Sequence, residues 1–178
     1  MNRPLGLESF TTQSRLQHAL TVAGAVVVFW IGYFGGVWAV YGDPSVVALE
    51  TNITEQRVGG VAGSIAVWTY LSLAFVRGYG GPVLNTLAYP LVIVTVAPFP
   101  ARWVLFGPDI GGLVDRFVGL FVFEPLVTTV VVAVPGLGAC LIVLTVWASV
   151  LEDEHRHQWQ REHLSEAFYD EFVDQPDD

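Results

Sequence analysis

The residues able to do chemistry are few and gather in two places. Four histidines, His18, His155, His157 and His163, are the only imidazoles in the chain. Glu152 stands three positions before His155, and Glu154 three before His157. A Glu-x-x-His pair serves di-iron centres when one copy projects from each of two helices, with further glutamates beside them. Here both copies overlap on one segment and point in different directions, and Arg161 shares the helical face of His157. No metal site and no cofactor are therefore expected, and the imidazoles read as solvated or headgroup-contacting groups. A haem between His18 and His155 is the sharper alternative, because neutral imidazole is a common axial ligand.

The second place is Asn85, Thr86 and Tyr89, a polar group within about one helical turn beside Pro90. A proline in a helix frees a carbonyl, and freed carbonyls with polar side chains can line a binding cavity in transporters. Neighbouring helices more often satisfy such groups, so these three are binding candidates and not a defined site. Hydrolysis is not expected, since no histidine stands deep in an apolar run to activate Ser64, Ser72 or Ser149. Cys140 is the only cysteine, which rules out an intrachain disulfide. Asn52-Ile53-Thr54 matches the glycosylation sequon, so Asn52 is a modification candidate wherever its loop faces outward.

The elements that must carry these residues are apolar. Hydrophobic residues make up 53% of the 178 and charged residues 14%, with a mean hydropathy of +0.53. A soluble domain holds about 25% charged residues. Runs at about 16–41, 58–76, 83–106 and 126–150 each approach or exceed the roughly 20 residues that cross a bilayer. The expected fold is an all-α integral membrane bundle of four transmembrane helices. A polar tail (1–15) precedes the membrane domain (16–151), and an acidic tail (152–178) follows it. The polar stretch before the first run does not have the pattern of a cleaved signal peptide. Ser14 is placed as the cap of the first helix, without the reciprocal partner of a capping box.

Gly32 and Gly36 in the first run, and Gly59 and Gly63 in the second, have the four-residue spacing that lets helices approach closely. Thr69, Tyr70 and Ser72 are expected to bond back to helix carbonyls. Pro90, Pro98 and Pro100 predict a bent third span. Pro135, Gly136 and Gly138 predict a kink or close contact in the fourth. The stretch 110–123 is too short to span and reads as an interfacial or re-entrant helix. In the tail, His157, Arg161, Leu164, Phe168 and Phe172 share one face of an amphipathic helix.

All eight basic residues are arginine, against 17 acidic ones, for a net charge of -9. Such a chain is not expected to bind nucleic acid, which needs a basic stripe. Acidic, lysine-free composition resembles that of salt-loving archaea, where high salt screens carboxylate repulsion. Five arginines (3, 15, 77, 156, 161) fall on one side of a four-span layout and three (57, 102, 116) on the other. Basic residues favour cytoplasmic loops, so a multi-pass cell-membrane protein with both termini cytoplasmic is expected. The functional expectation is a small, non-catalytic membrane subunit of a halophilic archaeon, partnered by membrane lipid and by further copies or a larger membrane protein. The alternatives are an oligomeric transporter or channel for a small solute, along Asn85, Tyr89, Pro90 and Pro135, or the haem-binding redox subunit.

Overall fold

The computed structural model describes residues 14–48, 52–107, 125–164 and 166–173. The described residues are helical, with no strand among them. Helix α1 is Arg15–Tyr41 and α2 is Ile53–Val76, joined by a 3-10 turn at Pro44–Ala48. A wide π-type turn, Leu84–Ala88, runs straight into α3, Tyr89–Val96, and α4 follows at Pro98–Phe106. Helix α5 is Pro125–Val150, and α6 and α7 are Asp153–His163 and Glu166–Phe172. The stretch 110–123, Glu50 and the tail before Ser14 lie outside the described residues.

Among the described residues three helices are long and apolar enough to cross a membrane: α1, α2 and α5 over Val130–Val150. At about 1.5 Å per residue, α1 and α2 reach about 40 and 36 Å, beyond the roughly 30 Å of hydrocarbon. The expected third span differs. Leu84–Val96 reaches only about 20 Å, and the chain turns at Ala97 before α4 begins. The cause is proline. Pro98 and Pro100 carry no amide hydrogen, so the carbonyls four residues before them lose their donors and the helix is interrupted.

The packing fixes directions. Gly24, Gly32 and Gly36 of α1 meet Tyr70, Ala66 and Ala62 of α2, so these two helices are antiparallel. Gly60 meets Val132 and Gly136 meets Ser64, so α5 runs parallel to α2. The chain between α2 and α5 must therefore return to the opposite end. It climbs beside α1, with Tyr89 at His18, Ala97 at Trp30 and Phe106 at Phe34.

Apolar side chains fill the interior and also cover much of the outside. Ala25, Phe29, Tyr33, Val37, Val67, Trp68 and Leu71 form the core, yet Thr21, Ser64, Ser72 and Asn85 are buried among them. Meanwhile Leu16, Val27 and Ile31 of α1 and Val134, Leu141 and Ile142 of α5 are exposed. Large apolar side chains facing outward along whole helices mark a surface fitted to lipid or a partner.

Helix ends follow the local sequence. Ser14 caps α1, and here the expectation needs correction: Gln17 completes the capping box, its side chain accepting from the Ser14 amide at 2.9 Å while Ser14 Oγ accepts from the Gln17 amide at 3.2 Å. Gly42 ends α1 in the left-handed region at φ 74°. Next to it, the Ser45 hydroxyl and then its amide donate to Asp43. Both hold that carboxyl below its ordinary value, so this local brace persists above the usual carboxylate range and is lost as pH falls through the lowered value. The tail also differs from expectation. The single amphipathic helix is two, because Leu164 adopts an extended backbone at ψ 150°. The proposed face is thereby split, with Arg161 donating across the break to Tyr169 Oη at 3.3 Å.

The α1–α2 seam makes a direct prediction. A methyl at Gly36 would collide with Ala62 Cβ, whereas one at Gly35, in the same helix, meets nothing within 4 Å. Gly36→Ala should cost about 1–3 kcal/mol by overpacking, while Gly35→Ala gains up to about 1 kcal/mol of helix propensity. Thermal unfolding of both variants in one detergent checks this, and equal effects would contradict the seam.

Candidate functional site

The polar cluster expected from sequence sits where α2 turns into α3. Arg77 to Gly81 makes the turn, with Gly78 and Gly80 at φ 76° and 101°. Gly80 is required twice over: its φ is left-handed, and a Cβ there would strike the Asn85 amide. Asn85 is fully buried. Its Nδ2 donates to Leu71 O at 3.0 Å and to Tyr79 O at 2.7 Å, and its Oδ1 accepts from the Gly81 amide at 3.3 Å. One amide thus ties the end of α2, the turn and the start of α3 together.

Thr86 contributes both its atoms to the same region. Its hydroxyl donates to Pro82 O at 2.7 Å. Its carbonyl stands four residues before Pro90 and so has no helix amide to bond; the Trp68 indole donates to it instead, at 2.9 Å. The wide turn over Leu84–Ala88 belongs to the same adjustment, with the Tyr89 amide bonding to Leu84 O. Tyr89 Oη meets His18 Nε2, and the two rings stand edge to face at 5.4 Å. Asn85, Thr86 and Tyr89 are therefore brought together, and each named polar atom is engaged by the chain itself.

Two other indoles donate to backbone carbonyls, although Ala97 O also accepts from the Ala101 amide at 3.4 Å. Trp30 Nε1 donates to Ala97 O at 3.0 Å, at the break between α3 and α4. Trp159 Nε1 donates to Val76 O at 2.8 Å, at the end of α2. Helix ends and proline sites leave carbonyls unpaired, and an indole offers an apolar body with one donor. Sequence reasoning missed all three. The usable signal was Pro90 itself, which identifies Thr86 O as an acceptor needing a donor.

The histidines occupy one end of the bundle. His18 is half-buried against Tyr89. His155 lies 3.6 Å from exposed Glu152, and His157 is exposed. His163 bonds through Nδ1 to Trp159 O at 2.9 Å and stacks on the Trp159 ring at 4.9 Å. Trp159 in turn touches Phe75 and Trp147, fastening α6 to the ends of α2 and α5. Among the described residues no group of three or more metal-ligating side chains converges.

The helix-packing glycines lie between α1 and α2. A methyl at Gly32 would stand 2.7 Å from Ala66 Cβ, at Gly59 2.9 Å from the Tyr33 ring, and at Gly63 2.7 Å from the Phe29 ring. Gly32 and Gly36 thus admit α2, and Gly59 and Gly63 receive aromatic rings of α1. Asn52, half-buried, donates through Nδ2 to Val46 O at 2.6 Å. A glycan would attach at that same nitrogen.

No protein-family model, curated protein or solved structure matches the chain.

Asn85 is the cluster's discriminating position. Asn85→Ala removes the side-chain partner of Tyr79 O and of the buried Gly81 amide and should cost about 1–3 kcal/mol. Thr86→Val removes a hydroxyl that bonds only within its own turn and should cost less. Denaturation of the purified variants checks the order, and a neutral Asn85→Ala would mean that the amide is not a structural tie.

Proposed function

We propose that this chain is a non-catalytic, four-crossing membrane subunit that acts by association, with both termini cytoplasmic. The observation that carries the reading is the division of surface. The polar atoms of Asn85, Thr86 and Tyr89 are turned to the chain's own groups, while the outward faces of α1 and α5 are apolar along their length. A transport path needs polar groups available to a solute; an associating subunit needs an apolar outer face.

The glycine pairs Gly32/Gly36 and Gly59/Gly63 are used between α1 and α2. The partner-facing surface of the proposal is therefore the outer side of α5, where Gly138 has open space around it between exposed Val134, Leu141 and Ile142. The fourth crossing of the proposal is the broken α3–α4 segment. It is supported by the parallel run of α2 and α5, which requires a return between them. The cytoplasmic assignment rests on the arginine bias, and the acidic, lysine-free surface suits a high-salt setting.

Mass measurement in mild detergent tests association: the expected species exceeds one 19.4 kDa chain after subtraction of bound detergent. A stable monomer that drives solute flux in proteoliposomes would replace this reading with transport. Topology has its own test. With Cys140 only 4% exposed as a silent background, a cysteine in place of Glu50 should react with an impermeant thiol reagent in intact cells. Reaction only after lysis would invert the orientation.

A further inference from the structure

Hydroxyl side chains in these helices bond back to their own backbone at four positions. Thr21 donates to Gln17 O, Thr86 to Pro82 O, Thr95 to Leu91 O and Ser149 to Val146 O, all between 2.7 and 2.9 Å. Ser64 and Ser72 of α2 do not, contrary to the expectation for Ser72, and both are sealed in the interior at 0% exposure. Thr145 of α5 is the outward exception. It is exposed, and its hydroxyl has no hydrogen-bond partner among the described residues. It stands about 8 Å short of the end of the span at Val150, where hydrocarbon offers neither donor nor acceptor.

The surroundings of that hydroxyl have the pattern of a helix seam. Gly138 precedes Thr145 by two turns and lies on the same side of α5. A methyl at Gly138 would meet nothing within 4 Å. Val134, Leu141 and Ile142 flank the pair, at 58%, 66% and 66% exposure. Val131, Val134, Gly138, Leu141 and Thr145 recur at alternating intervals of three and four, the repeat of a left-handed helix pair. The opposite side of α5 is the one packed on α2, through Val132 and Gly136. The outward face of α1 differs: it presents Leu16, Leu20, Val27 and Ile31, while its Thr21 is buried.

We propose that the outward side of α5 seats a second copy of this chain, paired about Gly138 and Thr145; this rests on the associating-subunit reading above. Two copies inserted in one membrane share an orientation. A two-fold axis between them then runs along the membrane normal and makes their α5 helices parallel, so each central residue meets its own counterpart. A threonine hydroxyl both donates and accepts, so Thr145 is complementary to itself and the two hydroxyls bond across the axis. At Gly138 the backbones close where no side chain intervenes. Val130–Val150 carries no charge, so the span does not repel its copy. A lipid chain on the same face would leave the hydroxyl unmet.

Cysteine crosslinking and sedimentation equilibrium of the full chain test this. With buried Cys140 as a silent background, Thr145→Cys in reconstituted membranes should give a disulfide-linked pair of chains on mild oxidation. Ile31→Cys, outward on α1, should not, because a disulfide needs its two backbones close together. In mild detergent, Thr145→Val keeps the side-chain shape and removes the hydroxyl. It should raise the dissociation constant of the pair about three- to tenfold, while Thr145→Ser keeps the wild-type value. Unchanged helicity by circular dichroism shows that each variant is folded. An assembly that persists while Thr145→Cys fails to crosslink and Thr145→Val associates as tightly as wild type would overturn this seam and leave association to another face or partner. A wild-type chain that stays monomeric would remove the associating-subunit reading itself.

Discussion

Hydrogen bonds cannot be borrowed from hydrocarbon, and the rest of this structure follows from that constraint. Each backbone group exposed by a proline or a helix end must find a partner inside the chain. Tryptophans supply such partners, Trp68 at Thr86 O and Trp159 at Val76 O, while Trp30 adds a donor to Ala97 O beside the Ala101 amide. Each bond also joins two elements that are distant in sequence. The interrupted α3–α4 segment is thereby held to α1 and α2, and α6 is held to the base of the bundle. Proline disrupts the third run, and the indoles turn those disruptions into points of attachment.

Close approach is the complementary constraint. Apolar side chains gain nothing by leaving lipid for another apolar surface, so contact must come from fit. Gly32 and Gly36 let α1 reach the backbone of α2, and Gly59 and Gly63 admit the rings of Tyr33 and Phe29 in return. The polar residues of the interior follow the same logic. Asn85 is buried because Tyr79 O and the Gly81 amide of the turn need what a single amide offers, and its second N–H reaches Leu71 O of α2. The outward sides of α1 and α5 are left uncovered by the chain's own packing.

Much of the fold was legible in the sequence, and the losses have physical causes. Uninterrupted apolar runs located α1, α2 and α5 because helix formation in lipid depends on little besides length and hydropathy. The third run was legible as bent, but not as two separate helices; hydropathy averages across Pro98 and Pro100, whereas hydrogen bonding does not. The start of α2 lies at Ile53, before the apolar run begins at Val58, since a helix can extend into water beyond its membrane segment. The α6–α7 break was hidden because the periodicity of His157, Arg161, Leu164 and Phe168 continues through it. Within the site, the spacing of Asn85, Thr86 and Tyr89 marked the right turn of chain. Their partners were out of reach, because Leu71, Trp68 and His18 come close only through tertiary packing. Local capping was readable in principle: Gln17 stands three residues after Ser14 and needs no tertiary information.

The central claim is that the outward apolar faces of the long helices meet hydrocarbon. Nitroxide labels at Ile31 and Leu141, both strongly exposed in the isolated chain, test it in reconstituted membranes by their relative collision rates with oxygen and a water-soluble nickel complex. The account predicts that oxygen dominates at both positions, as it does only within the bilayer. Dominance of the nickel complex at these positions would put the same faces in water and contradict it.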